Sequence, residues 1–328
     1  MNTIFDNHNT EVPAQKSLLV VKPVNTVIQE AAEAPDPIPL IPGLWNEGEI
    51  ACLFARTNVG KSIYAVQISA EIAKNQKVLY FDSELSDKQF QLRYTNPDTG
   101  EVHRFPENLF RATISRADPY SENHLNVLFD NIGRVASEND IKVLVIDNLT
   151  SICIRNEKAD EAGIFMENLK HLQEALKMSI LVVAHTPKIP EHISIELNHL
   201  AGSHRLSSYF DDVFAIGKSA YGPNFKYLKQ LKYRASEHTY GEDNVILLET
   251  VKQPDGNLVF EKRGCEPEQS QLRPSLLAPE KIEIVKAMIA QGMSCRKIQD
   301  QTGISKSAVG RISKAIKKET AEGLSVAN

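Results

Sequence analysis

Eight consecutive residues, Ala55-Arg-Thr-Asn-Val-Gly-Lys-Ser62, have the types and spacing of a phosphate cradle. Gly60, Lys61 and Ser62 fill the last three places of the G-x-x-x-x-G-K-[ST] pattern, and Ala55 stands where its first glycine would be. In such a loop, backbone N–H groups turn toward a polyphosphate, the lysine reaches the β/γ-phosphates, and the hydroxyl takes a place on Mg²⁺. Thr57, Asn58, Val59, Gly60, Lys61 and Ser62 are therefore the expected nucleotide-binding residues. Glycine matters most just before the lysine, where the backbone presses closest; at the first position a small residue serves.

Four further groups could complete the chemistry. Asp147 closes the apolar run Val143–Ile146, and an acid at the end of a buried strand is the expected partner of Ser62 on Mg²⁺. Glu84 follows Tyr80-Phe-Asp-Ser, where a carboxylate can orient a water against a γ-phosphate and take its proton. Asp82 is the rival two residues earlier, and spacing does not separate them. His185 ends Val182-Val-Ala, where it either faces the ligand crevice and touches the γ-phosphate or simply ends a strand. Lys232 and Arg234 alternate in Leu228-Lys-Gln-Leu-Lys-Tyr-Arg234 and so share one side of a strand. That side is either a solvated basic face or a pair of cations able to reach a neighbouring subunit's nucleotide. His199 and His204, close in sequence, read as polar loop residues rather than a metal pair.

The elements that must hold these groups are legible from periodicity. Apolar runs at 49–54, 78–81, 141–146 and 180–184 predict strands, with a further strand at 112–115. Helical spacing follows at 62–74, then at Leu125, Leu128, Ile132 and Val135 behind a cap at Ser121, and at Ile164, Phe165, Leu169, Leu172 and Leu176. Near-continuous apolar strands alternating with helices predict an α/β fold with a mainly parallel sheet covered on both faces. Asp255-Gly256, between 245–251 and 258–262, marks a terminal antiparallel hairpin.

In this order the motifs resemble those of RecA-like ATPases, within the group of DnaB-type and RepA-type hexameric helicases. The resemblance implies a RecA-like P-loop NTPase core, with Glu84 as the catalytic carboxylate and His185 as a γ-phosphate sensor. Lys61 belongs with them in catalysis, and Lys232 and Arg234 become fingers acting in trans at a subunit interface. ATP and Mg²⁺ are the implied cofactors, and self-association as a hexameric ring or filament is the implied assembly.

The chain has 328 residues, 42% hydrophobic and 24% charged, which suits one large soluble domain and a small one. No run approaches a membrane span, no secretory start is visible, and four scattered cysteines fit reduced thiols in a cytoplasm. The net charge of −5 is unevenly spread: nine cations and three acids between Glu280 and Lys318 give +6 there and leave −11 elsewhere. In that basic stretch a helix from Pro279 to Gln291 precedes a second, capped by Ser294 and ending at Gly303, and a third over 306–318. The pattern resembles a helix-turn-helix domain. Its third helix would present Ser305, Lys306, Ser307, Arg311 and Lys314 to DNA; the alternative is a basic peg for a protein partner.

The expected organisation is an N-terminal arm (1–36) of loose order, an ATPase domain (37–264), a linker (265–278) and a helix-turn-helix domain (279–320). Segment 92–110 reads as an insertion without an assigned role. The function expected is a DNA-acting, Mg²⁺-dependent ATPase serving replication or mobilisation of a plasmid or similar element. The alternative is a DNA-binding regulator that uses ATP as a switch. Loops 153–163 and 187–202 hold few cations (Arg155, Lys158, Lys188), which favours an ATPase over a strand-tracking helicase.

Overall fold

Strands that are apolar on both sides must be covered on both sides, and the fold is built around that demand. A computed structural model describes residues 19–114, 124–152, 159–187, 189–200, 204–234, 237–273 and 279–304, with 306, 308–310, 312–313 and 316 beyond them. The chain divides into two compact units, Met1–Ile38 and Pro39–Asn328. In the first, the arm expected to be loose carries a helix, α1 (Val24–Glu33), with no buried residue. Pro23, whose fixed φ suits a helix start, sits at its N-cap. Leu19, Val20 and Val21 are exposed and form no strand.

The second unit opens with a small ribbon of β1 (Pro39–Ile41) and β2 (Trp45–Asn46). There follow β3 (Ile50–Ala55), α2 (Lys61–Ile72), β4 (Val78–Asp82), α3 (Asp87–Arg93), β5 (Leu109–Ala112), α4 (His124–Asn139) and β6 (Val143–Asp147). Then come α5 (Leu149–Ile152), α6 (Ala159–Leu176), β7 (Ser179–His185), α7 (His204–Tyr209), β8 (Asp212–Lys218) and β9 (Phe225–Tyr233). Last are β10 (Val245–Lys252), β11 (Leu258–Glu266), α8 (Glu268–Gln271), α9 (Pro279–Ala290) and α10 (Cys295–Thr302).

Nine strands form one sheet in the order β11-β10-β9-β8-β3-β7-β6-β4-β5. β8, β3, β7, β6, β4 and β5 run parallel, and β9, β10 and β11 extend the sheet antiparallel. Alternate strand residues feed two cores. Ile50, Cys52, Phe54, Leu144 and Ile146 meet α4 and α6 on one face, while Ala51, Leu53, Val143 and Val145 meet α2 on the other. The α/β expectation is met, and so is the terminal hairpin.

Local readings shift in four places. The strand expected at 112–115 is β5, three residues earlier, because its register is set by pairing with β4. Ser121, the expected cap, lies outside the described residues. Ile164 is partly exposed, and Met166 joins Phe165 in the core instead. The stretch expected to be linker begins inside β11 and continues into α8, where Glu268 and Gln271 are buried. Glu268 pairs with Lys229 at 2.5 Å and accepts from the Tyr227 hydroxyl and the Ile195 amide, each at 3.0 Å, so burial is compensated.

The segment 92–110 packs on the tip of the β10–β11 hairpin. The Asn96 side-chain amide donates to the Pro254 carbonyl (3.1 Å), and the His103 ring sits 2.5 Å from Asp255. Gly256 permits this contact: its φ is +85°, and a Cβ there would lie 2.6 Å from the Asn96 backbone.

The C-terminal helices close over a core of Val285, Ile298, Ile304 and Val309. The Ser294 hydroxyl caps α10 by accepting from the Lys297 amide (3.3 Å), and Gly303 ends it at φ +67°. Beyond Ile304 the described residues are helical. Lys306 is exposed there; Ser305, Ser307, Arg311 and Lys314 lie outside the described residues. Among the described residues no helix is long and apolar enough to cross a membrane, and Cys52, Cys265 and Cys295 are free thiols.

Candidate active site

β3 lies between β7 and β8, so the loop after Ala55 emerges where the strand order reverses. That is the place where parallel sheets open a crevice at their carboxyl edge. Asn58 (φ 61°) and Gly60 (φ 101°) both take left-handed backbone, which curls the loop before α2 starts at Lys61. Gly60 is needed twice over. Its φ is strained for any other residue, and a Cβ would sit 2.6 Å from the Phe260 ring of β11. Phe260 is held there because its backbone N–H and C=O both bond the Gln67 side chain of α2, at 2.7 and 2.9 Å. The antiparallel extension thus braces the phosphate-loop helix.

Ala55 is the last residue of β3, almost wholly buried, between His185 of β7 and Ile216 of β8. Its methyl group belongs to the core, which is why alanine replaces glycine at that corner without disturbing the loop. Lys61 is buried, and desolvation pulls its ammonium below the usual lysine range while Asp147 and Glu84 push it back up.

Asp147 ends β6, one strand beyond β7. Burial pushes its carboxyl above the usual range; the Tyr80 hydroxyl, donating at 2.6 Å to Oδ2, and nearby Ser62 and Lys61 oppose this, while Glu84 adds to it. Its Oδ1 is buried and makes no hydrogen bond of good geometry among the described residues. A buried carboxylate oxygen left over beside a hydroxyl and an ammonium is a poor way to end a strand, but it is a suitable ligand for a hard divalent cation. The residues present therefore fit Mg²⁺, with Ser62 and Asp147 as the groups that would hold it.

Tertiary packing separates the two rival carboxylates. Asp82 Oδ2 accepts from Nε and Nη2 of Arg111, at 3.1 and 3.0 Å, and Oδ1 accepts from the amides of Glu84 and Leu85, both at 3.0 Å. With its side chain only 4% exposed, Asp82 is consumed as a structural anchor. Glu84, held out by that turn, is 44% exposed and lies 3.6 Å from Nε2 of His185.

Asn148, which sequence reasoning missed, stands between them. Its side-chain nitrogen donates to Glu84 Oε1 and lies 3.1 Å from His185 Nε2. Nothing in its sequence setting marked it beyond its place next to Asp147.

Lys232 and Arg234 are not part of this group. β9 is antiparallel to β8, and Lys232 pairs with Val213, which pairs with Cys52 near the start of β3. The two cations therefore sit toward the amino edge of the sheet. They do share a side: Lys232 donates to the carbonyls of Ser207 (2.9 Å) and Phe210 (2.6 Å), and Arg234 to the carbonyl of Ser208 (2.7 Å) and to Asp211 (2.9 Å). Both finish the carboxyl end of α7, where cations are favoured.

On the other side of the phosphate loop, Arg56 approaches Glu191 at 3.8 Å. Glu191 also pairs with Lys218 (3.1 Å) and Arg273 (3.2 Å), and these cations, Lys218 first, hold its carboxyl below the usual range.

The sequence profile of the AAA_25 family, described as an AAA domain, matches residues 16–191. No curated protein matches the chain. Among solved structures, the ATPase domain of a DnaB-like helicase superposes with a TM-score of 0.54 at 15% identity, covering 72% of this chain and 96% of that one. A likeness at that identity speaks for the fold, a RecA-like P-loop ATPase core.

Proposed function

Since the chain belongs to the AAA_25 family of AAA domains, we propose that it binds ATP with Mg²⁺ and hydrolyses it at the carboxyl edge of its sheet. The observation that carries this reading is the convergence on one crevice of Lys61, the unpaired buried oxygen of Asp147, and the exposed Glu84 beside His185. The curled loop Thr57–Gly60 presents backbone N–H groups to the phosphates, and Lys61 adds a cation whose burial strengthens its grip. Mg²⁺, when bound by Ser62 and Asp147, neutralises charge on the phosphate oxygens. Glu84 orients a water in line with the γ-phosphate and accepts its proton as the P–O bond to ADP breaks. His185 meets the γ-phosphate and relays its loss to the loop that follows.

The substrate context we infer is DNA, in replication or mobilisation of a plasmid or similar element in the cytoplasm. Support comes from the basic balance of the C-terminal helices and their Ser294 and Gly303 caps. That module would place Ser305, Lys306, Ser307, Arg311 and Lys314 on DNA. Assembly into a ring or filament would bring the amino-edge cations of one copy to the nucleotide of the next. Half-exposed Arg234 is then the group that reaches across, with Lys232 securing its base.

Steady-state hydrolysis with Mg²⁺, with and without DNA, tests the reading. Wild type should turn over ATP, Lys61→Ala should not, and Arg234→Ala should lose activity only at concentrations where the protein assembles. Absence of turnover in wild type under all conditions would overturn it. The ATP-switched regulator is distinguished by Glu84→Gln: biological function retained without hydrolysis would favour the switch.

A further inference from the structure

We propose that Asn148 is a positioning residue for hydrolysis, its side-chain amide holding both the Glu84 carboxylate and the proton placement of His185. The inference rests on the ATP-hydrolysis reading above. The hydrogen bonds carry it. Asn148 is 1% exposed, and its Oδ1 accepts from the Ser151 amide at 3.1 Å, as the cap of α5. With the oxygen so used, the two N–H groups of the side chain point the other way. One donates to Glu84 Oε1 and the other faces His185 Nε2 at 3.1 Å. A donor facing Nε2 makes that nitrogen the acceptor and leaves the imidazole proton on Nδ1. Asn148 itself is fixed from behind, since its backbone N–H donates to Ser83 Oγ (3.0 Å), and that hydroxyl also donates to the Asp147 carbonyl (2.9 Å).

The consequence for chemistry is orientation. Glu84 is a long, partly exposed side chain on a loop, and left alone it would sample many rotamers. Pinning one carboxylate oxygen directs the other at the crevice, which removes that search from the reaction. Because Asn148 makes no recorded contact with the phosphate loop, it should act on turnover and leave nucleotide binding alone.

Two substitutions test this. Asn148→Ser keeps a capping oxygen for α5 but cannot reach Glu84 or His185. Asn148→Asp keeps the shape and the cap but presents an acceptor where a donor stood. Both should lower kcat by about 10–100-fold with KM for ATP unchanged. Nitrogen-15 spectra of His185 in nucleotide-free protein should report the proton on Nδ1 in wild type. In Asn148→Asp it should move to Nε2, which then donates to the new carboxylate. A wild-type protein that hydrolyses ATP, with kcat kept in both variants or a His185 tautomer indifferent to Asn148→Asp, overturns the inference. A fall in kcat matched by a rise in KM and a lost melting transition assigns Asn148 a structural role instead. A wild type without hydrolysis sinks the ATPase reading, and the tautomer measurement then stands separately.

Discussion

The two edges of the same sheet hold similar charges and use them in opposite ways. At the carboxyl edge, Asp147 keeps a buried oxygen unpaired and Glu84 keeps nearly half its surface open. At the amino edge, Lys232 and Arg234 spend their donors on α7 and Asp211. Asp211 in turn accepts from the Ile50 amide at 2.9 Å, and Asp212 faces Glu49. One edge waits for an anion and a cation, and the other has satisfied itself. Residue type does not distinguish these conditions; the count of partners already in place does.

The sharpest break in that comparison would come from the paired carboxylates. Glu84→Gln should cut turnover by about 10²–10⁴-fold with an unchanged melting temperature. Asp82→Asn, which strands the Arg111 guanidinium, should cost about 3 kcal/mol of stability in a denaturant titration. Equal effects on both measurements would mean that the two acids share one role.

At the other edge, Lys232→Ala should leave the carbonyls at the end of α7 without their donor. Denaturation should show a loss of about 1–3 kcal/mol. No loss would release Lys232 from its structural duty.

Asp212 offers a test through pH. Burial, then its hydrogen bond to Glu49, pushes its carboxyl up to about 9. Between its ordinary value near 3.8 and that raised value the folded protein holds a proton the unfolded chain has lost. Stability from this group is therefore full in acid and is lost as pH rises, by at most about 1.4 kcal/mol per pH unit. Asp212→Asn removes the titration, so its melting-temperature advantage over wild type should widen from pH 5 to pH 8. A constant difference would show that the carboxyl titrates normally.

The smallest effect belongs to Ala55→Gly. Hydrolysis should stay within about two-fold, and a loss of about 0.5–1 kcal/mol from a strand-end glycine should appear in denaturation. A large change in ATP affinity would show that the methyl group shapes the loop after all.

Much of this was readable in the chain because the signals are local. The phosphate loop lies within eight residues, and the covered sheet follows from apolar runs four to six residues long. Asp147 and His185 are strand ends, so their edge is set once the strands are parallel. The failures are equally instructive. The linker expectation relied on composition, yet Glu268 is buried because Lys229, 39 residues away, meets it. Segment 92–110 had no visible purpose until Asn96 and His103 met the hairpin tip more than 150 residues on.

By itself the sequence determined the alternating α/β order, the phosphate-binding loop and the small set of acids and bases that could serve it. Those depend on spacing between near neighbours, which backbone geometry converts directly into strand, turn and helix. Only the tertiary structure decided that Asp82 is spent and Glu84 is open, and that Asn148 joins Glu84 to His185. It alone placed Lys232 and Arg234 at the far edge. Whether a charged group is free to react depends on which distant donors pack against it. That is settled when the strands take their register and bring Arg111 to Asp82 and α7 to Lys232.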